Sequence, residues 1–176
     1  MDTRRAEPST QRATSSLSEA NHAQHDRIRL HLDQLVALAE MVGRAEPDEL
    51  DAKFQTECSF VTGELGPHML AVETTVYDEL ERRMGQRHSM APMREEHERF
   101  RLLMASLCRY GALVADRALT PPDAIGLRRV LYRLYTMLSV HLAEEELYLG
   151  VLDRSLTEIE KDALARSIEY ATAEPL

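Results

Sequence analysis

A histidine and a glutamate stand four residues apart in the segment HLAEE, at His141 and Glu145. On an α-helix, residues at this spacing lie one turn apart on the same face, so an imidazole nitrogen and a carboxylate can reach one small volume. Around them, apolar residues recur in alternating steps of three and four, which is typical of a helix in a bundle. A carboxylate on such an apolar stripe is unfavourable unless a partner or a metal ion compensates its charge. The stripe consists of Leu127, Leu131, Leu134, Leu138, His141, Glu145, Tyr148 and Leu152.

Each of three further predicted helices also places one histidine on its apolar stripe, at His25, His68 and His97. The second of these helices adds a carboxylate near its histidine, at Glu73. A lone histidine on an apolar face is usually a core residue that bonds to a carbonyl group. Four such histidines with two carboxylates would each need a separate buried partner, whereas one metal centre satisfies all of them. The predicted metal ligands are His25, His68, Glu73, His97, His141 and Glu145.

The chemistry of this ligand set favours iron. The set contains no sulfur, which argues against zinc fingers and iron–sulfur clusters, and calcium and magnesium prefer oxygen ligands. Imidazoles together with carboxylates suit iron, and they suit manganese or zinc less well. Six protein ligands exceed what one ion needs, and carboxylates can bridge. We therefore expect two iron ions, joined by an oxo or hydroxo bridge, with positions left open for O2 or peroxide.

The predicted fold is all-α, an up-down-up-down four-helix bundle with a short fifth helix at the C-terminus. Pro67 removes a backbone donor within the second helix and is expected to kink or split it immediately before His68. Thr157 and Glu160 form a predicted capping box at the start of the fifth helix. The predicted helices run from Ser16 or Ser18 to Gly43, from about Asp48 to Met84, from Ser89 to about Val114, from Thr120 to about Leu152 and from Thr157 to about Tyr170.

Taken together, these motifs resemble the hemerythrin-like, HHE cation-binding family, whose members are four-helix bundles with a non-haem di-iron site. The resemblance covers about residues 18–155. It implies the same six ligands as the apolar stripes do. The matching segments are HDRIRLHLDQL with His25, HMLAVETTVYDEL with His68 and Glu73, RHSMAPMREEHERFR with His97, and HLAEEELYL with His141 and Glu145.

Two positions depart from the family pattern. The family usually places its second-helix carboxylate four residues after the histidine, where this chain has Val72. Glu73 is one residue further on, about 140° around an ideal helix from His68. A kink or a long bridging side chain can absorb that angle, and Glu64, four residues before His68, is the alternative ligand. Oxygen-carrying members have an additional histidine one turn after the third-helix histidine, where Arg101 stands here, and this difference argues against simple reversible O2 carriage.

Composition narrows the range of partners and locations. The 176-residue chain carries a formal net charge of −9, which argues against nucleic acid and anionic membranes as partners. No apolar run is long enough to span a bilayer, and the polar start of the chain lacks the apolar segment of a secretory signal. Cys58 and Cys108 are expected to be small buried groups in a reducing compartment, which indicates a cytoplasmic location. The chain is expected to be a monomer or a homodimer, and the sequence leaves the choice between them open.

The chain is expected to divide into a disordered tail at 1–16, the hemerythrin-like bundle at 17–155 and a C-terminal helix with its tail at 156–176. Tyr77 and Tyr148 are interpreted as packing residues, with a hydrogen bond to a metal ligand as the alternative. Solvated side chains are expected for His22, His31, His88, Glu95, Glu96, Glu144 and Glu146.

The family resemblance implies that the predicted centre binds and processes O2 or hydrogen peroxide, and a peroxide-decomposing, catalase-like enzyme is the favoured hypothesis. The alternative is a non-enzymatic module that senses or stores iron or O2. A ferritin-like carboxylate oxidase would need two Glu-x-x-His motifs on partner helices, and Glu19 with His22 forms the single such motif in the chain. The sequence leaves open the substrate, the reductant, and the choice between enzyme, carrier and sensor.

Overall fold

Helices account for every regular element in the part of the chain that the structure describes, which comprises residues 17–85, 87 and 89–173 of the computed structural model. This confirms the all-α prediction. No helix among these residues is long and apolar enough to cross a membrane. The helices are α1 (Leu17–Met41), α2 (residues 47–84), α3 (Ala91–Cys108), α4 (Pro121–Ser155) and α5 (Glu158–Ala173), with a short helical turn at Gly111–Ala115 between α3 and α4.

Helix α2 continues through Pro67 instead of splitting there, because the helix widens just before it. In the first wide turn, the N–H of Gly66 donates to the carbonyl of Val61, five residues earlier. Such π-turns accommodate one extra residue and relax the backbone around a proline that has no N–H to donate. The expected interruption is therefore a π-turn and not a break. The α-helical segments are Pro47–Phe60, Gly66–Val72 and Asp78–Met84, and the π-helical segments are Val61–Leu65 and Glu73–Tyr77.

The first four helices form the bundle. Helix α4 packs along both α1 and α3, and α2 contacts α1 and α3. Since short links join consecutive helices, neighbours in sequence run antiparallel. Helix α5 folds back onto the second half of α2. Arg83, near the end of α2, links this helix to α4 and α5. It donates hydrogen bonds to the Ser155 carbonyl at 2.6 Å and to the Glu160 carboxylate at 2.5 Å.

Two apolar cores lie on either side of one polar layer. The larger core includes the completely buried Leu127, and the smaller one includes Leu152 and Ile168 from the two C-terminal helices. On α4, Leu138 of the larger core and Leu149 of the smaller core flank His141 in sequence. Each stripe histidine of α2, α3 and α4 thus stands at the boundary between the two cores.

The start of α5 and the end of α2 follow the expected local chemistry. The Thr157 N–H donates to the Glu160 carboxylate at 2.8 Å, and the Glu160 N–H donates to the Thr157 hydroxyl at 3.4 Å, which confirms the predicted box. Gly85 ends α2 with φ at 57°, a left-handed conformation that glycine adopts without strain.

One expectation from the sequence is wrong, and others concern residues outside the described part of the chain. Cys58 is half-buried and Cys108 is exposed, so the expectation of two buried cysteines is wrong for Cys108. The predicted tail at 1–16 and the side chains of His22 and His88 lie outside the described residues. The division of the chain after residue 155 stays a prediction.

A matched pair of leucines on α4 tests the burial pattern. Leu127 is completely buried, whereas Leu147 is 73 % exposed. We expect Leu127→Ala to lower the free energy of unfolding by about 2–5 kcal/mol, because it removes buried methyl groups and leaves a cavity. Leu147→Ala should change it by less than about 0.5 kcal/mol. Urea denaturation of the metal-free proteins, followed by circular dichroism, measures both values, and equal losses would contradict the packing of α4.

Candidate metal centre

The polar layer between the two cores consists of four histidines and one glutamate. They are His25 on α1, His68 on α2, His97 on α3, and His141 with Glu145 on α4. None is more than 3 % exposed. Because each residue lies on the apolar stripe of its helix, the packing that buries the stripes also brings these five side chains together.

Glu145 lies at the middle of this layer. One carboxylate oxygen, Oε2, lies 3.2 Å from His25 Nε2 and 3.6 Å from His68 Nε2. On the other side, His97 Nε2 and His141 Nε2 are 2.8 Å apart. In each of these two groups, which share Glu145, the possible ligand atoms all lie within 4.8 Å of one another. The geometry therefore offers two adjacent places for a cation.

Carboxylates on the outer side of the layer hold three of the imidazole rings. His97 Nδ1 is 2.8 Å from Glu73, and His141 Nδ1 is 2.8 Å from Glu96. His25 Nδ1 is 3.4 Å from Glu146. Since a carboxylate accepts hydrogen bonds, each of these Nδ1 atoms carries the proton, and each Nε2 presents a lone pair to the centre.

The inner atoms therefore face one another as acceptors. His97 Nε2 and His141 Nε2 would repel at their short separation unless a cation or a proton lay between them. A proton is disfavoured, because burial, followed by the neighbouring His141, lowers the pKa of His97 to about 4. A metal ion at this place accepts both lone pairs, as metal-bound imidazoles require.

Unpaired buried atoms point to the same conclusion. His25 Nε2 and Glu145 Oε2 are buried without a hydrogen-bond partner, and so is His68 Nδ1. Buried polar atoms of native proteins are normally satisfied, and exceptions call for an ion, a water molecule or a functional reason. Glu145 is thus a carboxylate that can bind a cation.

A phenol also reaches the centre. The Tyr77 hydroxyl donates a hydrogen bond to Glu145 Oε1 at 3.1 Å and lies 3.2 Å from His97 Nε2. The side chain is completely buried. Burial, and then the charge of Glu145, raises the pKa of Tyr77 well above its usual value. Of the two interpretations of Tyr77, the structure favours the hydrogen bond to a residue of the centre.

The structure does not bring Glu73 into either group. Its carboxylate bonds to His97 Nδ1 and accepts a hydrogen bond from Arg101 at 2.7 Å. Glu64, the alternative ligand, is exposed in the first π-helical segment of α2. Direct binding of a metal by Glu73 stays a prediction, and its observed contact is with the outer nitrogen of His97.

Sequence reasoning missed the two outer carboxylates Glu96 and Glu146, which it assigned to solvated faces. Each is next in sequence to a stripe residue, so its Cβ lies about 100° from the stripe. Only a partner on another helix makes such a residue part of the centre. Glu96 on α3 reaches His141 on α4, and Glu146 on α4 reaches His25 on α1.

His31 also differs from its expectation, because it is partly buried and 25 % of its side chain is exposed. Its ring stacks on Phe60 with centroids 3.8 Å apart, and its Nδ1 lies 3.0 Å from the carboxylate of Glu57. Glu57 is completely buried, and Lys53 Nζ lies 3.5 Å from it. The spacing of Phe54, Glu57 and Phe60 on α2 could have indicated that Glu57 is buried, and its contact with His31 lies outside the metal centre.

Alanine substitutions should separate the metal centre from the contact between His31 and Glu57. Any one of His25→Ala, His68→Ala, His97→Ala or His141→Ala should lower both the bound metal per chain and Tm, because metal binding is coupled to folding. His31→Ala is the control. It should lower Tm, since the buried Glu57 loses a hydrogen-bond partner, yet leave the metal content unchanged. Elemental analysis and thermal scans measure both quantities, and loss of metal from the His31 variant would contradict this division.

Comparison with known proteins agrees with the geometry. The model of the hemerythrin HHE cation binding domain matches residues 16–152, a range that contains all five buried residues of the polar layer. No curated protein and no solved structure matches the chain significantly. Because the family model covers most of the chain, this protein belongs to the hemerythrin HHE cation-binding domain family.

Proposed function

We propose that the protein holds two iron ions in its polar layer and uses them to bind and process O2 or hydrogen peroxide. The observation that carries the proposal is the pair of three-residue groups that share Glu145. His25 and His68 would hold one ion, and His97 and His141 the other. Glu145 Oε2 faces His25, and Oε1 accepts a hydrogen bond from the Tyr77 hydroxyl beside His97, an arrangement that suits a bridging carboxylate.

The donor set supports iron. Four imidazole nitrogens with a carboxylate suit iron better than calcium or magnesium, and no cysteine belongs to either group. Donor atoms bound at about 2.1 Å in neighbouring octahedral positions are about 3 Å apart. The separations of 2.8 Å between His97 and His141 and 3.2 Å between His25 and Glu145 agree with that value.

The protein's own residues orient the histidine rings and exclude water from the centre. Glu73, Glu96 and Glu146 fix the rings so that every Nε2 they control faces inward. Phe100 packs edge-on against the His141 ring at 5.1 Å and excludes water from that side. When bound, an iron pair supplies the electrons that O2 or peroxide chemistry needs.

The departure at Arg101 supports an open site. Oxygen-carrying relatives are expected to have an additional histidine there, but the Arg101 guanidinium turns to Glu73 and Glu98. With fewer imidazoles, more positions on the ions stay exchangeable. We therefore propose that the protein is a peroxide-decomposing enzyme. The activity test below distinguishes this function from that of a module that senses or stores iron or O2.

Stoichiometry provides the first test of this proposal. Elemental analysis of protein produced with ample iron should approach two irons per chain, because the two groups can be filled together only when Glu145 bridges. Glu145→Gln, which keeps the size of the side chain, should remove more than half of the iron. Saturation at one iron, or a preference for zinc in competition, would overturn the di-iron proposal.

Activity provides the second test. The diferric protein should evolve O2 from added hydrogen peroxide over many turnovers, measured with an oxygen electrode. The controls are His97→Ala, which should lose at least tenfold in rate, and free iron at the same concentration. The diferrous protein should also autoxidise quickly in air. A long-lived oxygenated spectrum without O2 evolution would instead assign a carrier or sensor function.

A further inference from the structure

The Tyr77 hydroxyl occupies the place where a ligand from α2 would be expected in the group of His97 and His141. Its oxygen lies 3.2 Å from His97 Nε2 and 3.1 Å from Glu145 Oε1, and the side chain is completely buried. Both distances match the separation of about 3 Å between neighbouring donors on one octahedral ion. The hydroxyl thus lies among the donor atoms and not behind them.

The carboxylate expected at this place is held elsewhere. The position four residues after His68 is Val72, and Glu73 contacts the outer nitrogen of His97 at 2.8 Å. Arg101 donates to the same carboxylate oxygen of Glu73 at 2.7 Å. With an imidazole and a guanidinium on it, Glu73 is retained on the far side of the His97 ring from the centre.

A local widening of α2 turns Tyr77 inward. Tyr77 follows His68 by nine residues, which on a regular α-helix would place it about 180° away from that histidine. The π-helical segment Glu73–Tyr77 takes up one extra residue, and this moves residues at its end back by about 100°. The remaining angle of about 80° brings the phenol to the side of the centre.

Contacts from α3 hold this widened turn in place. Arg94 donates to the Glu73 carbonyl at 2.8 Å, one of the backbone groups of the widened turn. The same guanidinium lies 5.5 Å from the centre of the Tyr77 ring. Arg94 thereby supports both the backbone that aims Tyr77 and the ring itself.

From these contacts we propose that Tyr77 is an iron ligand, which supplies a phenolate oxygen to the ion held by His97, His141 and Glu145. The inference rests on the proposed iron pair. A protonated ligand releases its proton when a metal binds, and here the phenol proton passes to solvent as the iron–oxygen bond forms. Helix α2 then contributes one ligand to each ion, His68 to one and Tyr77 to the other.

The test uses the light absorption of the iron-loaded full-length protein. A phenolate bound to ferric iron gives a visible charge-transfer band, and Raman excitation within it enhances tyrosine ring vibrations. The wild-type protein should show both signals, and ring-deuterated tyrosine should shift the vibrations. Tyr77→Phe should lose them. Tyr148→Phe, which changes a partly buried tyrosine on α4, should keep them.

The outcomes separate this inference from the proposed function. Two irons per chain without enhanced tyrosine vibrations in the wild-type protein would overturn the inference and leave the iron pair intact. Persistence of the band in Tyr77→Phe would also overturn it. Absence of bound iron would overturn both proposals. Because the isotope shift is measured on the wild-type protein, the result does not depend on how well the variants fold.

Discussion

Lone pairs that face one another inside an apolar bundle are the constraint on which this structure depends. Four imidazoles and one carboxylate meet between two apolar cores, and outer carboxylates leave three of the rings with Nε2 atoms that can only accept. Without a compensating positive charge, this layer would oppose the packing that creates it. A bound cation would therefore stabilise the fold, which agrees with the cation-binding family of the chain.

The outer carboxylates connect this layer to the surface. Arg29 binds Glu146 at 2.5 Å behind His25, and Arg101 binds Glu73 at 2.7 Å behind His97. Burial by itself would raise the pKa of Glu146, but Arg29 and then His25 hold it below its usual value. A carboxylate on Nδ1 makes the imidazole a stronger donor to a metal. At Arg101, where oxygen-carrying members of the family are expected to have a histidine, the contact instead holds the carboxylate that orients His97.

Helix α2 departs from regular α-helical geometry in two segments, and the second of them directs Tyr77 to the centre. Its two π-helical segments absorb extra residues next to Pro67 and before Tyr77. Such turns are less favourable than regular helix and persist when surrounding contacts support them. Here Arg94 binds the backbone of the second segment, and the completely buried Tyr77 is fixed by Glu145. The irregular helix is the one that presents a phenol to the centre.

The sequence by itself determined the bundle and the five buried residues of the layer, because burial on a helix follows the regular spacing of apolar positions. His141 and Glu145 are recognisable on the stripe of α4 for that reason. Tertiary structure decided the role of every residue beside a stripe. Glu96 and Glu146 act on histidines of other helices, Glu73 lies behind His97, and a π-turn redirects Tyr77. The 3.6-residue period of apolar positions predicts which face of a helix is buried. It does not predict which residues of another helix lie opposite that face, or where a helix widens.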